Sequence, residues 1–165
     1  MPTPGETSVV EHEIRIAARP ETVFAFFTDP ARMVRWMGTE ATLDPRPGGA
    51  CRINVNDASV MLGEFVEVDP HRRIVFTWGW EGNLFEVPPQ STAVEISFTP
   101  DGDGTIVRLA HRRLPATAIS VHQAGWGHYL GRLALAAAGR DPGPDPFLDL
   151  AAAAQALRAV AADAD

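Results

Sequence analysis

Ala118–Gly139, AISVHQAGWGHYLGRLALAAAG, is the stretch whose reading decides the fold. At 3.6 residues per turn, Ile119, His122, Trp126, Tyr129, Leu130, Leu133 and Ala137 fall on one broad stripe, which predicts an amphipathic helix. The stripe carries the only Tyr of the chain and one of its four Trp. A face of this size needs an apolar partner. The stripe is also not uniformly apolar, because His122 and Tyr129 set polar tips among Trp126, Leu130 and Leu133. That mixture suits one wall of a pocket better than a plain core plug.

The partner is written upstream. From Val9 to Ala17, Val10, His12, Ile14 and Ile16 alternate with Glu11, Glu13 and Arg15, the period of a half-buried strand. Arg19-Pro20 opens a helix with Val23, Phe24 and Phe27 as its expected buried side, and Asp29-Pro30 stops it. Asp29 is the expected N-cap of a second helix over Ala31–Met37, ended by Gly38. Strands follow over Glu40–Asp44, Ala50–Asn56, Val60–Val68, Arg73–Trp80, Thr92–Thr99 and Thr105–Arg112, separated by Pro- and Gly-rich turns. Arg73–Trp80 has the clearest inward face, Ile74, Phe76, Trp78 and Trp80, whereas the two faces of Val60–Val68 are balanced. The sum is an α+β domain of about seven antiparallel strands with two short helices after the first strand and a long one at the end.

Composition narrows the function. All fourteen basic residues are Arg, and the net charge is −7 with no basic stripe, which argues against nucleic acid and against an anionic membrane surface. The lone Cys51 cannot form an internal disulfide, and MPTPGETS is not a signal-peptide pattern, so a cytoplasmic location is expected. Residues 1–7 read as a disordered arm, 8–140 as the domain, and 141–165 as an acidic, Ala-rich tail. In that tail RDPGPDP is a breaker-rich linker, and Phe147–Ala162 is helix-prone with Leu150, Leu157 and Ala161 at helical spacing.

Ala18–Phe24 (ARPETVF), Thr28-Asp29-Pro30, Arg35–Gly38 (RWMG) and Pro47-Gly48-Gly49 recur in one order with Gly63–Pro70 (GEFVEVDP), Arg73–Trp78 (RIVFTW), Gly104-Thr105, His111 and Gly125-Trp126. In these landmarks the chain resembles the SRPBCC (START-like, birch-pollen-allergen-like) superfamily, and within it the activator of heat-shock-protein-90 ATPase homologue branch. The resemblance runs over about residues 8–140. It implies a helix-grip fold, in which a curved antiparallel sheet wraps the long C-terminal helix and encloses an apolar cavity. Fold alone does not fix function, because function resides in sites grafted on a fold.

The candidate ligand-binding residues are Trp36, Met37, Phe65, Trp78, Trp80, His111, His122, Trp126, Tyr129, Leu130 and Leu133. Aromatics here either line a pocket for a flat or hydrophobic molecule or fill a core. His111 and His122 interrupt apolar faces, so each either orients a ligand oxygen, transfers a proton, or is a core histidine held by a neighbour. His12 belongs to an edge strand, and His128 is expected on the solvated side of the helix. Gly125, Gly127 and Gly131 lower helix propensity, which implies a close approach to the backbone, with helix-on-sheet packing the preferred cause. Cys51 reads as a small core residue, and no residue pattern calls for a metal or a cofactor.

These features favour non-enzymatic binding of a small hydrophobic molecule, lipid-like or aromatic. A cyclase or dehydratase using His111, His122 or Tyr129 is the alternative enzyme, and a stress-response co-chaperone is what the branch name adds. A homodimer is the expected assembly.

Overall fold

Alternation at the start of the chain becomes an edge strand, β1 (Val10–Ile16), in a computed structural model that describes residues 9–148. Helices α1 (Pro20–Thr28) and α2 (Pro30–Met33) follow. Six strands come next: β2 (Glu40–Leu43), β3 (Ala50–Asn54), β4 (Val60–Asp69), β5 (Arg73–Trp78), β6 (Thr92–Asp101) and β7 (Gly104–Arg112). They form one curved, seven-stranded antiparallel sheet in the order β1-β7-β6-β5-β4-β3-β2. The long helix α3 (Ile119–Ala137) lies in its concavity, so the helix-grip architecture is the observed one. Among the described residues, no helix is long and apolar enough to cross a membrane.

The two short helices differ from expectation in detail. α1 buries Val23, Phe26 and Phe27, while Phe24 is half-buried beside His71 and Phe98. The i, i+3, i+4 set that faces the sheet is thus rotated by part of a turn from the one predicted. Asp29 does cap α2, its Oδ1 accepting from Ala31 N at 3.0 Å. The helix stops at Met33, however, and the remainder of Ala31–Met37 is a turn. That turn aims Trp36 inward, where its Nε1 donates to Phe26 O at 3.0 Å and its ring meets Phe27 at 5.1 Å. The turn conformation lets one indole tie both helices together.

β4 explains why its faces are balanced in sequence. Phe65 pairs with Phe76 and Glu67 with Val75, leaving Val66 as the extra residue of a bulge, 52% exposed. A bulge flips the alternation, so no single period of two fits the strand. Phe65 faces the core. β5 ends at Trp78, earlier than the alternation predicts. Trp80 continues beside Met61 through one isolated bridge, and its N–H donates to Val87 O at 2.8 Å. The 81–91 loop folds so closely over Gly79 that a Cβ there would lie 1.8 Å from Pro88 O.

α3 buries His122, Trp126, Tyr129, Leu130, Leu133, Ala136 and Ala137, close to the predicted stripe, with Ile119 half-buried. Its end is a Schellman motif: Gly139 N donates to Ala136 O, Arg140 N donates to Leu135 O, and Gly139 has φ +83°. This left-handed step turns the chain back over the helix. Pro146–Leu148 forms a 3₁₀ turn against the domain, whereas the rest of the predicted tail helix and the 1–7 arm lie outside the described residues. The expected close approach to the α3 glycines is not found. A Cβ at Gly125 or Gly131 would meet nothing within 4 Å, and at Gly127 only His12 Cε1 at 3.5 Å.

Candidate ligand cavity

Between α3 and the β4–β5 end of the sheet the packing leaves a cavity of about 80 Å³. Trp78 and Trp80 form the sheet side, and Val121, His122, Gly125, Trp126 and Tyr129 form the helix side. Met37, the 55–59 connection (Val55, Asn56, Ser59), Phe85 and Phe147 complete it. The indoles meet edge-on and tilted, Trp78 to Trp80 at 5.2 Å and Trp78 to Trp126 at 5.0 Å. Each buried ring contributes on the order of 2–3 kcal/mol through burial alone, so this corner is also where much of the stability resides. No Asp, Glu or Arg side chain is among the lining residues.

The histidines that break the apolar faces are held by indoles. Trp126 Nε1 donates to His111 Nδ1 at 3.0 Å, which leaves Nε2 to carry the proton toward Thr92 Oγ1 at 2.8 Å. Thr92 in turn donates to Trp78 O at 2.8 Å. Trp80 Nε1 donates to His122 Nε2 at 3.0 Å, so Nδ1 carries the proton toward Ala118 O at 2.8 Å. The two imidazoles meet edge-to-face, their centroids 5.2 Å apart. Burial, and then the nearby His122, push the His111 pKa down to about 2. Burial also lowers that of His122, against a smaller opposing effect of the Ala118 carbonyl. Both rings are therefore neutral, and each basic lone pair is already taken by an indole N–H.

The outer wall comes from beyond the long helix. After Gly139 the chain crosses Arg132, whose guanidinium donates to Trp36 O, Pro142 O and Gly143 O. Asp145 is buried beneath it: Tyr129 OH donates to Oδ2 at 2.7 Å, and Oδ1 lies 2.9 Å from His128 Nε2 and from Phe147 N. Burial alone would raise the Asp145 pKa, but these hydrogen bonds outweigh it and hold the carboxyl below its usual range. Burial and the adjacent carboxylate push the Tyr129 phenol upward. Asn56 Nδ2 fastens Phe147 O at 2.8 Å, and the Phe147 ring lies tilted against His128, their centroids 4.5 Å apart. His128, expected on the solvated side of the helix, is thus half-buried under this strap, because the segment expected only as a linker folds over it.

Of the residues singled out from sequence, Met37, Trp78, Trp80, His122, Trp126 and Tyr129 meet at the cavity. Trp36, Phe65, Leu130, Leu133 and His111 are buried around it without lining it. Val55, Asn56, Ser59, Phe85, Val121, Gly125 and Phe147 line the cavity unanticipated. The glycine cluster was the available signal for Gly125, and Phe147 beside a linker was the signal for the strap. Cys51 is a buried core thiol, its pKa pushed up to about 12 by desolvation. His12 sits on the edge strand β1, its Nε2 3.1 Å from Gln123 O.

The family profile described as Activator of Hsp90 ATPase homolog 1-like protein matches residues 17–138. Among solved structures, an AHSA1-like protein of Rhizobium etli is 49% identical, with a TM-score of 0.66, over 84% of this chain and 87% of its own. CalU16 of Micromonospora echinospora is 27% identical, with a TM-score of 0.68, over 93% of this chain and 86% of its own. DynU16, from the dynemicin biosynthetic locus, shares the fold at 23% identity and TM-score 0.70, over 82% of this chain and 49% of its own. A search of curated proteins finds no significant match.

Proposed function

Because the chain belongs to the Activator of Hsp90 ATPase homolog 1-like family, and because its fold leaves an indole-walled cavity under the long helix, we propose that it binds a small hydrophobic molecule there without transforming it. The observation that carries this reading is the cavity between Trp78, Trp80 and Trp126, which is free of charged side chains among its lining residues. A volume of about 80 Å³ is well below the ~300 Å³ at which ligand sites usually begin, so binding enlarges it. Phe85 and Phe147 are the walls that give way, since both are half-buried and both belong to connecting segments. Phe85 and its neighbours Asn83 and Glu86 sit at positive φ, a conformation that costs non-glycine residues energy and favours rearrangement.

Proton-transfer chemistry has less support. His122 reaches the cavity, but Trp80 occupies its lone pair, and the Tyr129 hydroxyl is committed to Asp145. A co-chaperone role calls for a docking patch, and the exposed large hydrophobics among the described residues are Val66 and Leu135, on separate elements.

The test is titration of tryptophan emission with an apolar ring compound such as α-tetralone. Saturable quenching at one molecule per chain is expected, together with its loss in Gly125→Leu, which extends a side chain into the open space beside that residue. Non-saturable quenching, or equal binding by Gly125→Leu, would overturn the proposal.

A further inference from the structure

Three of the four indole N–H groups have an acceptor within the protein: Trp36 donates to Phe26 O, Trp80 to His122 and Trp126 to His111. The fourth has none. Trp78 is 3% exposed, and its Nε1 is the buried side-chain nitrogen or oxygen that lacks a hydrogen-bond partner among the described residues. An orphaned buried donor costs a fold about 1–3 kcal/mol, so such groups are rare and call for an explanation. Trp78 is also the ring at the centre of the cavity wall, in contact with Trp80, Trp126 and His111.

The remaining polar groups of the lining narrow the chemistry further. Asn56 donates to Phe147 O and accepts from Ala58 N, and both nitrogens of His122 are engaged. Tyr129 donates to Asp145. Among the lining side chains the uncommitted hydrogen-bonding groups are the Trp78 N–H, which the walls close off until the cavity enlarges, the second N–H of Asn56 and the Ser59 hydroxyl, all amid aromatic surface. The cavity offers no cation for a carboxylate and no anion for an amine, and burying either charge against these dipoles alone would be strongly unfavourable.

We infer that the occupant is a neutral, largely apolar ring compound bearing a hydrogen-bond acceptor, a carbonyl, quinone or ether oxygen, which takes the indole N–H of Trp78. This rests on the binding function proposed above and narrows it, setting fatty acids and amines aside. The acceptor completes the buried donor only when the ligand is in place, so recognition follows from satisfying an unmet hydrogen bond. Ring stacking supplies the affinity that one hydrogen bond cannot.

The experiment compares α-tetralone with tetralin, the same bicycle without the oxygen, and with the anion α-naphthoate. Tryptophan quenching gives the affinities, and the isotope-labelled indole N–H resonances report the hydrogen bond. The Trp78 resonance, assigned by its absence in Trp78→Phe, moves downfield with α-tetralone and is not deshielded by tetralin. Transfer free energies differ between the two probes, so the informative quantity is their affinity ratio, which falls about three- to tenfold in Trp78→Phe. Should that variant fail to fold, the wild-type spectrum decides alone, because the other three indole protons are already bonded and only one starts unbonded. An unchanged ratio and an undisturbed Trp78 proton would overturn this inference while leaving the cavity as a binding site. Binding of α-naphthoate as tight as that of α-tetralone would overturn the requirement for a neutral ligand. Failure of every probe to bind would overturn the binding function itself.

Discussion

Mild acid should destabilise this protein well before its carboxylates titrate. His111 is neutral when folded, with a pKa near 2, and returns to about 6.5 when the chain unfolds. A histidine whose folded pKa is lowered binds its proton preferentially in the unfolded state, so its contribution is intact above about pH 6.5 and is lost as pH falls below it. Between pH 7 and pH 5 this one ring costs about 2 kcal/mol, from about 1.4 kcal/mol per pH unit once the unfolded histidine is fully protonated. His122, lowered in the same direction, adds to the slope. No carboxylate is among the hydrogen-bond partners of either ring, so no counter-charge offsets it. Against a total of roughly 5–15 kcal/mol for a domain, the loss is easily measured. Urea unfolding followed by tryptophan emission, repeated from pH 7.5 to 5, should show a midpoint that is flat at the alkaline end and falls steadily below pH 6.5. His111→Gln should start less stable and show a shallower slope. A midpoint independent of pH down to 5, or an His111 ring that titrates normally by NMR in the folded protein, would refute the description of these imidazoles as neutral acceptors of indole N–H groups.

Asp145→Ala leaves Tyr129 without its acceptor, and thermal melting should show a loss of about 1–3 kcal/mol. Because the folded pKa of Asp145 is lowered, its contribution is full above the ordinary carboxylate range and disappears as pH falls through the folded value. Gly125→Ala and Gly131→Ala should each stabilise α3 by up to about 1 kcal/mol in urea titrations, since a methyl group meets open space at both positions and helix propensity rises. Cys51 should resist thiol reagents in the folded protein and react promptly in denaturant, because burial withholds both access and the thiolate.

The seven strands were legible because alternation survives wherever one face is buried and the other wet, as in β5 and β7. The alternation failed in β4, where Val66 inserts an extra residue, and at Trp80, which keeps its inward side after the ladder has ended. The aromatic composition of the site was legible for the same reason. Its polar logic was not, because Trp80 with His122 and Trp126 with His111 are pairings between distant segments that no local period encodes. The 141–147 strap was hidden by its own composition: DPGPDPF reads as a linker, yet prolines and glycines also suit a segment bent sharply onto a surface. Once Asp145 is seen to answer Tyr129 and His128, those two residues explain why the linker stays down.

The left-handed glycine at the end of α3 has a consequence for how this protein could be altered. It makes the outermost wall of the cavity a replaceable part, hinged at Gly139 and clasped at Asp145, and separate from the sheet that folds the domain. Residues 140–148 could be exchanged for those of a relative, or Phe147 varied by size, to retune which molecules enter while the indole floor is left as it is. Such a graft treats the binding site as a fixed mould with an interchangeable cover.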